Sequence, residues 1–508
     1  MNLGDLVERQ AASNPGKTAL RFSDEAISYA ALDRRINRVA NALQRLGVGK
    51  GDRVAVQIGN RPDFVYAYYG VMCTGAVLVP LNVMYKAGEV EYIANDAAIK
   101  AIITDAPLYP VTAAIRRKVP TLKHIIVARE APDSDVIPLP AILESGADER
   151  PQVEIASDDV AVVCYTSGTT GRPKGAMLTH NNLISNCEPL LTLRRCELTP
   201  DDVCMLVLPL FHIYGMNVAL GGAMFVGCTA VIIERFDVQL VLSKIEQERV
   251  SVFYGAPPMY IAMSLLESRH EFDLSSLRVA HSGAAPLPVR VLERFRDRYG
   301  VTIMEGYGLT ETSPVVCTNG AGAYTKPGSI GPPVPGVEVR IFDDNDGEMP
   351  VGEAGELVVR GPNVFKGYLN MPEETATAMR SGWFHTGDIA KVDAEGYYYI
   401  VDRKKEMVLV SGFNVYPREV EELLYRHPKV ADAAIIGVAD DYSGERVKAV
   451  VSLRPGEMCT AEEIMAYCRE NLAAYKCPKE VEFRDRLPKL ATGKVAKLQL
   501  KQTPEGRS

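Results

Sequence analysis

The stretch YTSGTTGRPKGAMLTH, residues 165–180, constrains this chain more than any other. Within it Thr166, Ser167, Thr169 and Thr170 supply hydroxyls, Gly168 and Gly171 supply unobstructed backbone, and Lys174 supplies a cation. Converging N–H groups, hydroxyl donors and a positive charge are what a phosphate takes, so the stretch reads as a phosphate cradle. A Walker loop needs four residues between its glycines and a lysine directly after the second. Here only Thr169 and Thr170 separate the glycines, and Arg172 and Pro173 precede the lysine. The flanks explain the difference. VAVVCYT enters the loop as an apolar β-rich run, GAMLTH leaves it as a second short strand, and THNNL then offers cap residues for a helix. The loop joins strand to strand, so a nucleotide site here belongs to another architecture.

At 508 residues the chain is too long for one simple core. A net charge of -8 argues against nucleic acid as the main partner. The ten cysteines form no CxxC pair and do not cluster with the seven histidines, which points to reduced, buried thiols in a cytoplasmic protein rather than a metal site. Asp5, Glu8 and Arg9 come too early for a signal peptide. Residues 64–85 and 203–233 carry no charge, long enough to raise the question of a membrane span. Pro80 interrupts the first, and Pro209, His212, Asn217 and four glycines interrupt the second, so buried core elements joined by turns are expected, with no transmembrane span.

RVAVQIG and KAIITD read as buried strands, and residues 61–72 as a helix, in α/β alternation. Residues 313–336 form a Gly- and Pro-rich connector, after which VEVRIF, DDNDG and GELVVRG make a small β unit. Near Tyr399 the pattern becomes strand, charged turn, strand, then a helix from Pro417 with an apolar stripe of Val420, Leu423 and Leu424. This places a domain boundary at Asp402, dividing the chain into residues 1–401 and 402–508.

The opening loop, EGYGLTETSP, GWFHTGDIA, VDRKKEMVLVSGFNVYPREVE and ATGKVAK occur in this order, and together they resemble the acyl-CoA synthetases of the adenylate-forming superfamily. The resemblance spans essentially the whole chain. It implies an α/β fold: a large multi-subdomain N-terminal domain, of sheets flanked by helices plus a small β-barrel, hinged to a small α+β C-terminal domain. It also implies a two-step reaction with ATP, Mg2+ and coenzyme A, in which a carboxylate attacks the α-phosphate and the CoA thiol then displaces AMP.

Carried over motif by motif, Thr166, Ser167, Gly168, Thr169, Thr170, Gly171 and Lys174 would hold the β- and γ-phosphates, with Thr170 also near the metal. Glu311 would ligate Mg2+, Thr310 would contact the α-phosphate, and Tyr307 and Gly308 would lie beside the adenine. Gly283, Ala284 and Ala285 in SGAAPL would lie along the nucleotide. Asp388 would take both ribose hydroxyls, a task two carboxylate oxygens suit, and Arg403 would add a contact. Lys494 would bridge the acyl carboxylate and the α-phosphate, although Lys489-Leu490 stand where the family commonly has Arg-Asn. Gly412 would line the pantetheine tunnel after rotation about Asp402, and Tyr442 and Lys479 resemble CoA contacts.

His212, Ile213, Tyr214, Met216 and Gly306 fall where the family binds the acyl group. PLFHIYGMN lacks the Asp by which amino-acid-activating relatives hold an ammonium, and Gly306 stands where malonate-activating relatives have Arg. A buried second carboxylate needs such a cation, so the acid is a monocarboxylate with an uncharged tail. Gly306 and Gly308 are expected to leave room at the pocket floor, with Met205, Ile213, Tyr214, Met216 and Val316 as apolar walls. A medium- or long-chain fatty acid comes first, a benzoate- or cinnamate-type aryl acid second, and a stand-alone enzyme loading a carrier protein third. The expected partners are the small-molecule acid and CoA, without nucleic acid, and a homodimer is left open.

Overall fold

The computed structural model describes residues 1–129, 133–166, 173–193, 195–267, 272–404, 406–410, 413–440, 444–489 and 495–501. Two eight-stranded sheets carry the first two thirds of the chain. One runs, edge to edge, through Val315–Thr318, Ile303–Gly308, Val279–Ser282, Val252–Gly255, Val203–Leu206, Thr229–Ile232, Thr18–Phe22 and Glu25–Ser28. Its interior pairs are parallel and both edge pairs are antiparallel. The other is parallel through Val160–Thr166, Val77–Pro80, Arg53–Gln57, Ala101–Asp105, His124–Ala128 and Ile137–Pro138. Its remaining edge is antiparallel: Val160–Thr166 pairs with Lys174–Thr179, and that strand with Gly367–Tyr368.

One core joins the two sheets. It holds Val54, Val56 and Leu78 from one sheet, and Leu20, Cys204 and Leu206 from the other. Between them lies the helix Pro62–Cys73, in which every residue but Asp63 is buried. A helix apolar all round must be covered on all sides. That accounts for the uncharged run 64–85 without a membrane, and no helix among the described residues is long and apolar enough to cross one. Run 203–233 is likewise core: the strand Val203–Leu206, a buried π-helix Tyr214–Gly221, a short helix Gly222–Val226 ended by left-handed Gly227, and the strand Thr229–Ile232. Alternation along Val203–Leu206 sends Cys204 and Leu206 into the shared core, while Met205 joins Phe253, Ile245 and Leu292 on the opposite face. Met205 is therefore not a wall of the acyl site expected from the sequence.

The small β unit is a four-stranded antiparallel sheet, Glu338–Phe342, Gly355–Arg360, Phe384–Val392 and Tyr398–Arg403. After Arg403 the strands change allegiance. Val408–Val410, Phe413–Val415, Val430–Asp440, Gly444–Leu453 and Glu480–Phe483 form a separate five-stranded sheet, covered by the helices Pro417–Arg426 and Ala461–Asn471. Pro417 opens the first of these, with Val420 and Leu424 buried. Its first turn docks on Tyr398–Arg403, the last strand of the small sheet: the Arg418 N–H donates to Asp402 Oδ2 at 2.8 Å, and the Arg418 guanidinium donates to the Ile400 carbonyl.

The Gly-rich connector is pinned at Gly331, which bridges to Tyr398. Gly331 has φ +81°, and a Cβ there would lie 2.1 Å from the Thr318 carbonyl carbon; Gly336 has φ +83° with open space. Gly331→Ala is expected to cost about 3 kcal/mol or more and Gly336→Ala about 1 kcal/mol, a difference read directly from the two melting temperatures.

Candidate active site

The residues expected at the nucleotide come from ends and edges of three sheets. Thr166 and Lys174 are register partners at the mouth of the cradle loop. Ser167, Gly168, Thr169, Thr170 and Gly171 lie outside the described residues, as do Gly412, Tyr442 and Lys494. Gly283, Ala284 and Ala285 follow the strand Val279–Ser282, and Ala284 is held at φ +70°, a left-handed conformation that costs a non-glycine residue energy. Tyr307 and Gly308 end the strand Ile303–Gly308, and Thr310 and Glu311 form the 3-10 turn that follows.

Two hydroxyl–carboxylate bonds join these pieces. The Tyr307 hydroxyl donates to Asp388 Oδ2 at 2.5 Å, and the Tyr368 hydroxyl donates to Glu311 Oε1 at 2.9 Å. Lys174 Nζ sits 5.2 Å from the centroid of the Tyr368 ring, so the cradle's cation and the Glu311 carboxylate share one tyrosine between them. Burial, and then the Glu311 charge, push the Tyr368 hydroxyl well above its usual range, which keeps it a donor. Asp388, buried on the strand Phe384–Val392, is the register partner of Arg403; the Arg403 side chain lies outside the described set.

The HTGD turn has its own support. The Gly387 N–H donates to Glu356 Oε1 at 3.1 Å, while Lys404 Nζ and His385 Nδ1 each lie 3.3 Å from Glu356 Oε2. Neither Tyr368 nor Glu356 was singled out from the sequence. Their only signals were a Gly-Tyr pair in FKGYLN and an acid opposite HTGD in an antiparallel partner strand, and both acquire meaning through register.

The residues expected at the acyl group lie behind the strand Ile303–Gly308. Ile213, Tyr214 and Met216 are buried in and beside the π-helix, and His212 is half-buried with its Nδ1 accepting the Tyr214 N–H at 3.3 Å. π-helical turns are rare and gather at functional sites. Gly306 does not leave open space: a Cβ there would meet His281 Cε1 at 2.5 Å. At Gly308 a Cβ would lie 1.8 Å from the Pro314 carbonyl oxygen. Both glycines serve close packing, and the space expected at the floor is taken by His281.

His281 was not anticipated. Its Nδ1 pairs with the Tyr214 hydroxyl at 3.0 Å and its Nε2 with Thr318 Oγ1 at 2.8 Å. Burial pushes its pKa down to about 4, so the ring is neutral at pH 7. It faces an apolar cavity with Leu190, Leu193, Val218, Tyr254 and Val334 among its walls. Lys479, by contrast, is an exposed residue at the start of Glu480–Phe483, tied to the five-stranded sheet through its backbone.

Strand ends from several sheets that carry a lysine and tyrosine-paired carboxylates, beside an apolar cavity, are the arrangement of an adenylate-forming enzyme. Residues 7–369 match the model of the AMP-binding enzyme family, and residues 419–494 match that of the AMP-binding enzyme C-terminal domain. A long-chain-fatty-acid–CoA ligase of Bacillus subtilis (strain 168) is 37% identical over 98% of this chain and 94% of its own length. A feruloyl-CoA synthase of an Amycolatopsis species is 40% identical over 97% of each chain. An anthranilate CoA ligase, solved in complex with anthranoyl-AMP, superposes with a TM-score of 0.92 at 31% identity, covering 98% of this chain and 96% of the other. The chain belongs to the AMP-binding enzyme family. It is an acyl-CoA synthetase, an AMP-forming acid–thiol ligase that works through an acyl-adenylate.

Glu305, next to Gly306, yields a pH test. Burial pushes its carboxyl up to about 7; the Leu287 N–H and Arg418 oppose this, and Glu422 adds to it. An unfolded glutamate titrates near ~4.3. The fold therefore binds this proton more tightly than the unfolded chain, and stability falls as pH rises from about 4.3 to about 7, then levels off. Glu305→Gln removes that slope. Its melting temperature is expected to exceed that of the wild type near pH ~8, with the two converging toward pH ~5.

Proposed function

We propose that this ligase activates an aryl monocarboxylic acid with an uncharged tail, through Lys494, Glu311, Thr310 and Lys174 as the catalytic groups. One observation carries the aryl reading. The cavity behind the strand Ile303–Gly308 has Tyr254 and His281, whose rings meet in a tilted contact at 6.0 Å, among its walls together with Leu190, Leu193 and Val334. An aromatic wall of this kind suits a ring laid edge or face against it. The relatives named for feruloyl and anthranoyl groups support it. The fatty acid is the second reading, favoured by the aliphatic share of the same walls and by the Bacillus relative.

The substrate carboxylate is already ionised at neutral pH, so the first step needs no general base. Its oxygen attacks the α-phosphorus of ATP and pyrophosphate leaves; the sulfur of CoA then attacks the acyl carbon, AMP leaves, and the thiol proton is released. The barrier is the approach of two anions, which fixed cations and donors lower. Lys494 would span the carboxylate and the α-phosphate, Thr310 would donate to the α-phosphate, and Lys174 with the loop 166–171 would hold the departing phosphates. A carboxylate together with nucleotide oxygens is the donor set Mg2+ prefers. Glu311, buried behind Tyr368 and one turn from Tyr307, fits that set, with Thr170 as the loop's hydroxyl. Bound there with ATP, Mg2+ would neutralise phosphate charge. Asp388 and Arg403 would take the ribose.

For the second step we propose rotation of residues 402–508 about Asp402, which replaces Lys494 with the face carrying Gly412, with Tyr442 and Lys479 toward CoA. The change of sheet just after Arg403 supports that division. The reading also takes the enzyme as cytoplasmic, where ATP and CoA are available.

The test is pyrophosphate release with Mg-ATP and acids from acetate through palmitate to benzoate and cinnamate, with and without CoA. CoA-dependent turnover with the highest kcat/KM on an aryl acid is expected. A maximum on alkyl chains establishes the fatty-acid reading instead, and release without CoA stimulation identifies a carrier-loading enzyme. Lys494→Ala is expected to slow adenylation roughly 100- to 1,000-fold while sparing conversion of supplied acyl-adenylate to acyl-CoA. Asp388→Asn is expected to raise the KM for ATP more than it lowers kcat.

A further inference from the structure

The polar groups around the acyl cavity are matched, with one exception. Asn186 uses its amide nitrogen on the Val315 carbonyl and its amide oxygen on the Val315 N–H. His281 spends both ring nitrogens, on Tyr214 and Thr318, and Thr318 Oγ1 also accepts the Gly320 N–H. Tyr254, also a wall of the cavity and 2% exposed, has a buried hydroxyl without a hydrogen-bond partner among the described residues. A buried hydroxyl left unpaired is costly, and such groups in native sites are matched by an ordered water or by a ligand that takes the water's place.

Its position says which part of a substrate would meet it. Tyr254 is the register partner of His281, and His281 of Met304, on the strand that ends in Tyr307 and Gly308. Two strand spacings, roughly 10 Å, separate Tyr254 from that strand. An acid whose carboxylate reacts beside Tyr307 and Thr310 would bring the far end of a flat tail, not its carboxyl end, to Tyr254.

We infer that Tyr254 is a specificity-determining residue whose hydroxyl hydrogen-bonds a neutral polar group at the distal end of the acid, of which a phenolic hydroxyl is the simplest. This rests on the aryl reading above and narrows it. The neutral His281 is locked between Tyr214 and Thr318, so no cation among the cavity's described walls would pair a charged tail. A hydrogen-bonding site discriminates against an analogue lacking the group more strongly than an apolar site discriminates by size, because the protein's own polar group is then left unpaired.

The experiment compares kcat/KM of the full-length enzyme for 4-hydroxycinnamate and cinnamate, and for 4-hydroxybenzoate and benzoate, with Mg-ATP and CoA. Wild type is expected to prefer the hydroxylated member of at least one pair by roughly 100-fold. Tyr254→Phe is expected to erase most of that preference by lowering turnover of the hydroxylated acid more than that of the plain one, and a melting temperature close to the wild type's shows that it folds. Equal wild-type rates within both pairs overturn the inference while leaving the ligase reading intact. So does a Tyr254→Phe variant of unchanged melting temperature that slows both members alike. Turnover confined to alkyl acids, or to none, defeats the aryl reading and this inference with it.

Discussion

The hydrogen bond from the Tyr307 hydroxyl to Asp388 crosses between two sheets that share no strand. Tyr307 ends an inner strand of the large mixed sheet, and Asp388 lies in the middle of the small antiparallel one. The Tyr368 hydroxyl on Glu311 does the same for the second large sheet, whose last strand it occupies. Each clasp pairs a neutral donor with a buried carboxylate, so the acids are desolvated and yet satisfied. A site assembled from three sheets has no single element to fix its geometry. These two bonds, with Glu356 beneath the HTGD turn, tie each carboxylate to an element of another sheet.

Local pattern carried much of this architecture. The apolar run 160–166 is a strand with those bounds, Thr179 caps the helix that follows with a reciprocal Thr179–Asn182 box, and Pro417 begins its helix. Each depends on neighbours a few residues away, which is where sequence speaks directly. Tyr368, Glu356, His281 and Tyr254 went unread because their roles depend on which strand lies alongside. Glycines show the limit most clearly. Read alone, Gly306 meant empty space; beside His281 it means a side chain omitted so that another can fit. Met205 fails for a similar reason, since alternation says that neighbours on a strand face opposite ways but not which face meets the ligand.

The apolar cavity beside His281 gathers several of these effects. His281 is forced neutral by burial, Tyr214 is kept protonated by the same burial, and each satisfies the other. Such a wall is polar without being charged. That is the character which the proposed acid with an uncharged tail calls for.

The π-helix Tyr214–Gly221 sets the orientation of one side of that wall. Its hydrogen bonds reach one residue further than those of an α-helix, so it behaves as a helix carrying a surplus residue. Loss of a single codon within it would let the turn relax to ordinary α geometry. The wide turn already absorbs the surplus residue, so the flanking turns would keep their faces while only side chains within Tyr214–Gly221 re-aim. The chain thus keeps, inside an otherwise close-packed core, a place where one residue can be lost without shifting the frame around it.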